Sequence, residues 1–223
     1  MMDCKAREAG VYLHHKEGHR LAVSIRTIPI ERDGQVVGAI EVFVDDFAQH
    51  DLFKSLENYK ELALLDPLTS IANRRTVDSF TEIRMVEFQT LKTPFAIVMI
   101  DIDDFRIINN RYGHDFGDDV LKMVAQTLKN AVRQSDLIGR YGGEEFIAIL
   151  IGDVEEHLEI ITEKMRMLVE NAFIRQEDKA ISVTISLGAT IVSEQDSLID
   201  VIRRADKLLY QSKQAGKNKV TIK

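Results

Sequence analysis

The chain has 223 residues, 45% of them hydrophobic, which is long enough for one full domain and a smaller second one, each with its own core. Its formal net charge of −7 excludes a protein that coats a nucleic acid polymer or an anionic membrane through its overall field, so positive charge for phosphates must be local or come from a metal. The single cysteine, Cys4, allows no internal disulfide, and no apolar stretch approaches the roughly 18 to 20 residues that span a membrane. Residues 1–20 contain no signal peptide, so we expect a cytoplasmic protein.

The N-terminal part of the chain, residues 1–46, carries a hairpin signal. "RLAVSIRTIPI" and "QVVGAIEVFV" alternate apolar and polar residues on either side of a turn signal at residues 31–34. A hairpin alone is only marginally stable, so we expect this piece to be the end of a larger sheet domain or to dock on something. Three nearby histidines, His14, His15 and His19, suggest a metal site, but solvated histidines on the hairpin are the favoured interpretation.

Residues 47–65 are predicted to form a connector helix. Leu52, Leu56, Tyr59 and Ala63 recur at spacings of 4, 3 and 4, which is the seam of a short coiled coil. We favour a dimeric connector because the segment lies between two domains. An amphipathic helix lying on its own domain remains open, since a seam this short does not decide between them. Asp66-Pro67 ends the helix, because a residue before proline avoids the α region.

After the connector, segments typical of strands alternate with segments typical of helices. The predicted strands are residues 95–100, 137–141, 145–151 and 181–187. Apolar residues at helical spacing mark three helices, through Leu121, Val124, Leu128 and Ala131, through Leu158, Ile161, Met165 and Leu168, and through Leu198, Val201, Ile202, Ala205 and Leu209. We therefore predict a mixed α/β (α+β) domain over residues 66–223, with at least one hairpin in its sheet.

A group of acidic residues follows the strand at 95–100. In "VMIDIDDFRIINNRYGHDFGDD" the strand runs directly into Asp101, Asp103 and Asp104, at the end of a strand where open α/β sheets place their ligand sites. Carboxylate oxygens there suit Mg²⁺ or Mn²⁺ held together with substrate phosphates. The alternative is that Asp101 or Asp103 caps the following helix. A cap uses one acidic residue and leaves the others unexplained.

The stretch "RYGGEEFIAIL" supplies a second set of carboxylates. Gly142 and Gly143 permit a two-residue turn with positive φ at both positions, which folds the flanking strands into a tight hairpin. Strand side chains alternate, so Glu144 and Glu145 are expected on opposite faces, with only one of them in the same site as Asp101. The alternative is a hairpin with two solvated glutamates.

Four motifs together carry a resemblance to a known family. "RYGGEEF", "DIDDFRIINNRYGHDFGD", "DPLTSIANRR" and "ADKLLYQSKQAGKN" occur in the order found in the GGDEF family of diguanylate cyclases, in its GGEEF form, and the likeness covers about residues 60–223. It implies a palm-like nucleotidyl-cyclase fold, with a central, mostly antiparallel sheet flanked by helices. It also implies that two GTP molecules, one on each of two facing domains of a homodimer, are joined into cyclic di-GMP with loss of two pyrophosphates.

The resemblance assigns the catalytic and metal positions. Asp101, the backbone carbonyl of Ile102, and Glu144 match the ligands of two Mg²⁺ (or Mn²⁺) ions per active half-site. Glu144 also matches the general base for the ribose 3′-hydroxyl, while Glu145 is a further ligand or a support for the site. Arg106 stands where the family usually has lysine, at a position that stabilises the pentavalent phosphorus. Metal-assisted attack on an α-phosphate needs this combination of proton acceptor and charge neutralisation.

The same resemblance assigns the substrate positions. Asn109 and Asp118 match the guanine readers, and an amide and a carboxylate suit the hydrogen-bonding edge of guanine. Lys213 and Lys217 match residues that hold the terminal phosphates, the latter being commonly arginine. The remaining substrate-binding positions are Phe105, His114 and Gly143, the last because a side chain there would collide with the nucleotide.

Two further expectations follow from resemblance. Arg133 and Asp136 form an R-x-x-D that matches the family's inhibitory site for the product, although in isolation the pair reads as a surface ion pair worth well under ~1 kcal/mol. The N-terminal hairpin is similar to the last strands of PAS sensor domains. The alternatives to a diguanylate cyclase are a catalytically silent module that binds GTP or cyclic di-GMP, and another purine nucleotide cyclase or polymerase-like enzyme, which Asn109 with Asp118 disfavours.

Overall fold

The computed structural model describes residues 7–14, 16–18, 20–32, 35–45, 64–176 and 179–223. The chain divides into two compact units, residues 1–61 and residues 62–223. Residues 47–63 of the predicted connector helix lie outside the described residues. Its last predicted residue, Leu65, forms a β-bridge with Ala72 instead of a helical turn.

The N-terminal unit contains a three-stranded antiparallel sheet. Its strands are β1 (Arg7–His14), β2 (Arg20–Arg32) and β3 (Gln35–Asp45), in the order β1-β2-β3. Strands β2 and β3 form the hairpin that the sequence predicts, with a register shift between Ile30 and Glu31. Strand β1 was not expected, because its charged start and Gly10 do not alternate cleanly, yet it pairs with β2 along its whole length. His14 is exposed, and His15 and His19 lie outside the described residues.

The C-terminal unit is built on a five-stranded sheet. Its elements in chain order are α1 (Arg74–Leu91), β4 (Phe95–Ile102), α2 (Phe105–Tyr112), α3 (His114–Ala131), β5 (Leu137–Arg140), β6 (Glu145–Ile151), α4 (Val154–Asn171), β7 (Ile174–Gln176), β8 (Lys179–Ile181), β9 (Ile185–Ile191), α5 (Leu198–Gln214) and β10 (Val220–Ile222). The sheet order is β10-β9-β4-β6-β5, and only the β9–β10 pair is parallel. The predicted mostly antiparallel sheet is confirmed. Strands β7 and β8 form a separate two-stranded sheet.

Strand β4 is the centre of this unit, and all eight of its residues are buried. Its residues alternate between two apolar clusters, so helices cover both faces of the sheet. Ala96, Val98 and Ile100 pack in the cluster that contains α3 and α4. Phe95, Ile97 and Met99 pack in the cluster that contains α1 and α5. Asp101 follows the alternation of Phe95, Ile97 and Met99, so it lies on the face of the sheet that α5 covers.

Several features of this unit differ from the sequence-based expectation. Helix α1 was not predicted; it begins after Asn73, whose side chain accepts a hydrogen bond from the Thr76 amide. The strand predicted at 181–187 is interrupted, since β8 ends at Ile181 and β9 begins at Ile185. Leu168, predicted on the apolar face of its helix, is exposed, and Val169 takes the buried position. None of the helices in the described part of the chain is long and apolar enough to cross a membrane.

Candidate active site

Asp101 and Glu145 face each other across strands β4 and β6. They are register partners in the antiparallel ladder, and Asp101 is buried. Residues directly opposite one another in such a pair project to the same face, so Glu145 is the cross-strand neighbour of Asp101. The next amide, that of Ile102, donates to the carbonyl oxygen of Glu144 at 3.3 Å. The charges of both Glu144 and Glu145 act on Asp101, contrary to the expectation that only one glutamate shares its site. Strand β6 begins at Glu145, so side-chain alternation does not extend to Glu144.

The connection between β5 and β6 is longer than the predicted two-residue turn. It spans residues 141–144, and the amides of Tyr141 and Gly142 both donate to the Glu145 carbonyl, at 2.8 and 3.2 Å. Neither Gly142 nor Gly143 has a positive φ, so that part of the prediction is wrong. A Cβ on Gly143 would meet no protein atom within 4 Å. Nothing in the described protein therefore requires glycine at 143, which leaves the space above it open.

Arg140 holds this loop in place. Its Nη2 and Nε donate to the Gly143 carbonyl at 2.8 and 3.2 Å, and its Nη1 donates to both carboxylate oxygens of Asp66, at 3.2 and 3.3 Å. Thr69 donates to Asp66 through its amide and hydroxyl. Burial opposes ionisation of Asp66, but these hydrogen bonds and the arginine charge lower its pKa below the usual value. Sequence reasoning missed Asp66 and Arg140 as site residues, although "DPLT" and "RYGG" contain them.

Lys213 on α5 forms an ion pair with Asp101, its Nζ lying 2.8 Å from Oδ2. The pKa of Asp101 is raised to about 6, chiefly by burial; Lys213 opposes the rise, and the charges of Glu144 and Glu145 add to it. The resemblance assigns Lys213 to terminal phosphates; here it contacts the carboxylate that the resemblance assigns to the metal. The site therefore gathers negative charge that one lysine partly compensates.

Asp103 and Asp104 do not share this arrangement. The Asp103 carboxylate is buried and accepts from the hydroxyls of Thr184 and Ser186, both at 2.7 Å, and from the Asn218 amide at 2.9 Å. It ties β4 to β9 and to the turn after α5, and it gives the buried Ser186 hydroxyl a hydrogen-bond partner.

Residue 104, not 101 or 103, occupies the N-cap position of α2, and the Asp104 side chain makes no capping hydrogen bond. The capping interpretation of Asp101 and Asp103 is therefore wrong. Asp104 instead accepts from Lys217 Nζ at 2.5 Å, and this ion pair raises the pKa of Lys217.

Helices α2 and α3 carry the residues assigned to the base. Phe105 begins α2 and is buried, whereas Asn109 is half-buried on the next turn of that helix. Asp118 is exposed on α3, immediately after Gly117, which packs against Asn109 and Phe105. These helices place an amide and a carboxylate on neighbouring surfaces.

Other assigned residues lie at the surface of the same region. Arg106 on α2 and His114 at the start of α3 are both exposed. Within the described ranges, no group of three or more His, Cys, Asp or Glu side chains is already arranged to hold a metal ion. A metal ion bound here would need ligands other than protein side chains, as is usual for Mg²⁺, which binds together with substrate phosphates.

The R-x-x-D residues do not form the ion pair expected of them in isolation. Asp136 accepts from the backbone amides of Arg133 and Ile151, both at 3.0 Å. Arg133 is exposed, and its contact with Asp136 is made by the main chain. With His157 and Ile161 of α4 they line a shallow depression. Asp136 therefore holds the loop through main-chain amides, while the Arg133 side chain is exposed.

The sheet order and the acidic residues at the end of the central strand, where β4 pairs with β6, are typical of an α/β domain that binds a ligand at the ends of its strands. Residues 63–219 match the family model described as "Diguanylate cyclase, GGDEF domain", and the chain belongs to this family. The match covers the whole candidate site.

Relatives with established names agree with this placement. The chain is 36% identical over 205 residues to the probable diguanylate cyclase DgcT of Escherichia coli K12, covering 90% of this chain and 44% of that protein. It is 43% identical over 132 residues to diguanylate cyclase A of Treponema denticola, covering 59% of this chain and 36% of that protein. The chain thus spans less than half the length of either relative.

Solved structures give the same result for the fold. The coiled coil and GGDEF domain of DgcB from Caulobacter crescentus, in complex with c-di-GMP, superimposes with a TM-score of 0.74 at 28% identity, covering 79% of this chain and 94% of that one. The active GGEEF domain of a diguanylate cyclase from Vibrio cholerae gives a TM-score of 0.64 at 29% identity, covering 68% of this chain and 97% of that one.

Proposed function

We propose that this chain is a metal-dependent diguanylate cyclase that condenses two GTP molecules into cyclic di-GMP and two pyrophosphates. The observation that carries the proposal is the pairing of buried Asp101 with Glu145 across β4 and β6, next to the hydrogen bond from the Ile102 amide to the Glu144 backbone carbonyl. The charges of Glu144 and Glu145 both act on the Asp101 carboxylate at the end of that strand. Family membership supports the reaction class, and the named relatives support the substrate.

The carboxylates fit a divalent cation. Burial, with a smaller contribution from the charges of Glu144 and Glu145, raises the pKa of Asp101, and a cation bound beside these groups would offset both effects. Asp101, the Ile102 carbonyl and Glu144 would hold Mg²⁺ or Mn²⁺, two ions per half-site with substrate phosphates completing the ligand set. Bound metal would supply neutralisation of charge on the α-phosphate and pyrophosphate oxygens.

The protein's own residues would do the rest of the chemistry. Glu144 accepts the proton of the ribose 3′-hydroxyl. The 3′-oxygen attacks the α-phosphate of the other GTP, and pyrophosphate leaves. Glu145, opposite Asp101, supports the carboxylate cluster. Arg106 is a cation on the exposed side of α2, suited to the charge that develops on phosphorus oxygens.

Substrate contacts extend along α2, α3 and α5. Asn109 and Asp118 read the guanine edge, with Phe105 and His114 beside them, and the open space above Gly143 admits the nucleotide. Lys213 and Lys217, now paired with Asp101 and Asp104, would exchange those carboxylates for phosphate oxygens when GTP binds. Arginine at 106 and lysine at 217 keep the charge of the usual residues and change the donor geometry, which tunes the rate.

The proposal extends to assembly and control. A two-fold symmetric product requires two GTP-loaded domains, so the active form is a homodimer. Cyclic di-GMP binding at Arg133 and Asp136 inhibits the enzyme. The sheet of the N-terminal unit is the end of a PAS-like sensor, and the protein works in the cytoplasm.

The test is to incubate purified protein with GTP and MgCl₂ over a range of protein concentrations and to detect cyclic di-GMP by mass spectrometry. Glu144→Gln should abolish turnover without lowering Tm, while Glu82→Gln, an exposed glutamate on α1, should leave both unchanged. Absence of product at every concentration would refute the enzymatic reading. Binding of GTP without turnover would identify the silent module.

A further inference from the structure

Asn109 Oδ1 is buried between α2 and α3 and has no hydrogen-bond partner within the described part of the chain. Such an atom is uncommon, because a buried acceptor without a donor loses its interaction with water. Gly117 lies directly against it. A Cβ built on Gly117 would overlap Oδ1, and would lie 3.0 Å from Asn109 Cγ and 3.3 Å from Phe105 Cζ. The amide thus occupies the volume that a side chain at 117 would fill.

The backbone at Gly117 does not itself require glycine. The residue lies within α3 and is not among those with a positive φ. Glycine inside a helix destabilises it relative to alanine. Glycine at this position is therefore explained by the close approach of Asn109 to the helix, and not by the conformation of the main chain.

This packing has a consequence for what Asn109 presents to a ligand. With Oδ1 turned toward Gly117, the Nδ2 end of the amide, which only donates, is left for the ligand. The adjacent Asp118 is exposed and only accepts when ionised. A purine with one acceptor and neighbouring N–H donors on its edge, as guanine has at O6, N1 and N2, matches this pair. Adenine presents a donor in place of O6.

We propose that Gly117 is a positioning residue for base specificity, because it admits the Asn109 amide against α3 and so fixes which end of that amide faces the base. The inference rests on the proposed function, since it concerns the same nucleotide site. It adds a residue that touches no ligand and acts only through Asn109.

Gly117→Ala tests the inference. The protein is titrated calorimetrically with α,β-methylene GTP, which does not react, and with the corresponding ATP analogue. Alanine displaces the Asn109 amide, so affinity for the GTP analogue should fall about tenfold, with a smaller change for the ATP analogue. Gln126→Ala, on the exposed side of the same helix, should leave both affinities unchanged. An unaltered preference for the guanine analogue in Gly117→Ala overturns the inference.

A double variant separates positioning from general damage to α3. In Asn109→Ala the obstructing atoms are gone, so adding Gly117→Ala should cause no further loss of affinity and should raise Tm, whereas the same change in the wild-type background should not raise Tm. A further loss of affinity, or an equal rise in Tm in both backgrounds, overturns the inference. Wild-type protein that fails to bind the GTP analogue would refute the proposed function instead, and the Tm comparison would still decide the contact.

Discussion

Lys213 Nζ and Asp101 Oδ2 lie 2.8 Å apart, joining the last turn of α5 to the end of the central strand. The carboxylate is buried and the lysine side chain is 35% exposed, so the lysine can leave while the aspartate cannot. An ammonium group at this position competes with a divalent cation for the same carboxylate. If the proposed function holds, we expect Lys213 to occupy Asp101 until metal and nucleotide bind.

Replacing this lysine should separate metal binding from nucleotide binding. Without nucleotide, Lys213→Met should bind Mn²⁺ roughly fivefold or more tightly, because a positive charge next to the carboxylate is removed. With GTP present, affinity for the nucleotide should fall, since a phosphate-binding cation is lost. Free Mn²⁺ measured by electron paramagnetic resonance checks the first effect, and calorimetry with α,β-methylene GTP checks the second.

Lys207→Met is the matched control, because it removes the same charge from an exposed position on the same helix. It should change neither affinity appreciably. Equal Mn²⁺ affinity in Lys213→Met and wild type would show that the ion pair does not restrain metal binding.

Arg140 supports the second prediction. It bonds at once to the Gly143 carbonyl and to Asp66, and the two side chains of this ion pair are only 18% and 17% exposed. Arg140→Lys keeps the charge but loses the planar fork, so the loop before Glu144 and Glu145 should loosen. We expect kcat to fall by roughly ten- to a hundredfold, with a smaller change in the KM for GTP, because misplacement of a reacting group costs rate more than binding.

Steady-state assays of cyclic di-GMP formation measure this effect. Arg84→Lys is a suitable comparison, since Arg84 pairs with Glu87 on α1 at similar exposure and does not contact the loop. A kcat for Arg140→Lys within twofold of the wild type would contradict the proposed positioning of the loop.

Some features of the site are local in the sequence and could be predicted, whereas the contacts of Lys213 and Arg140 depend on tertiary packing. The apolar run of β4 and the aspartate at its end are local features, so strand and site position could both be predicted. The approach of Lys213 depends on where α5 packs, and no local pattern encodes it. Side-chain alternation places Glu144 and Glu145 on opposite faces only if both residues lie in a strand. Strand β6 begins at Glu145, so the rule does not apply to Glu144.

Similar reasoning explains the other differences. Ser186 has a polar side chain but is buried, because its hydroxyl satisfies Asp103. A period-two pattern assigns such a residue to solvent, since it detects polarity and not hydrogen-bond partners. Helix α1 was not predicted because many polar residues interrupt its apolar face. Its first residue is set by the capping side chain of Asn73, which the apolar pattern does not detect.

The third prediction separates the two residues of R-x-x-D. Arg133 is exposed, whereas Asp136 accepts two backbone amides, from Arg133 and Ile151. Arg133→Ala should therefore relieve product inhibition at unchanged stability. Asp136→Ala should relieve inhibition and also lower the free energy of unfolding by about 1 to 3 kcal/mol, since the half-buried Ile151 amide and the exposed Arg133 amide lose their acceptor.

Inhibition curves with added cyclic di-GMP, together with urea denaturation of each variant, test both statements. Inhibition that is unchanged in Arg133→Ala would refute the regulatory role. Equal stability of Asp136→Ala and the wild type would refute the structural role of the carboxylate.

The fourth prediction concerns a structural ion pair away from the site. Arg204 donates to both carboxylate oxygens of Asp196 at 2.7 Å, and to Thr190 and the Ile191 carbonyl. Ser193 donates to Asp196 through its amide and hydroxyl. The hydrogen bonds from Arg204, opposed by burial and reinforced by those from Ser193, lower the pKa of Asp196 to about 2. This carboxylate therefore stabilises the fold in its ionised form.

The sign of the pH dependence follows from that depressed pKa. Above the ordinary value of 3.8 Asp196 is ionised in both states, and its stabilising contribution is complete. As the pH falls from about 4 toward 2, the unfolded state takes up the proton first and the contribution is lost. Asp196→Asn should therefore be less stable than the wild type by roughly 1 to 3 kcal/mol at pH 7, with a difference in unfolding free energy that narrows below about pH 4.

Urea denaturation at a series of pH values measures this gap in unfolding free energy, with Asp206→Asn, an exposed aspartate on α5, as control. A gap of constant size from neutral pH down to about pH 3 would contradict the assignment of this pKa shift to the Arg204 pair.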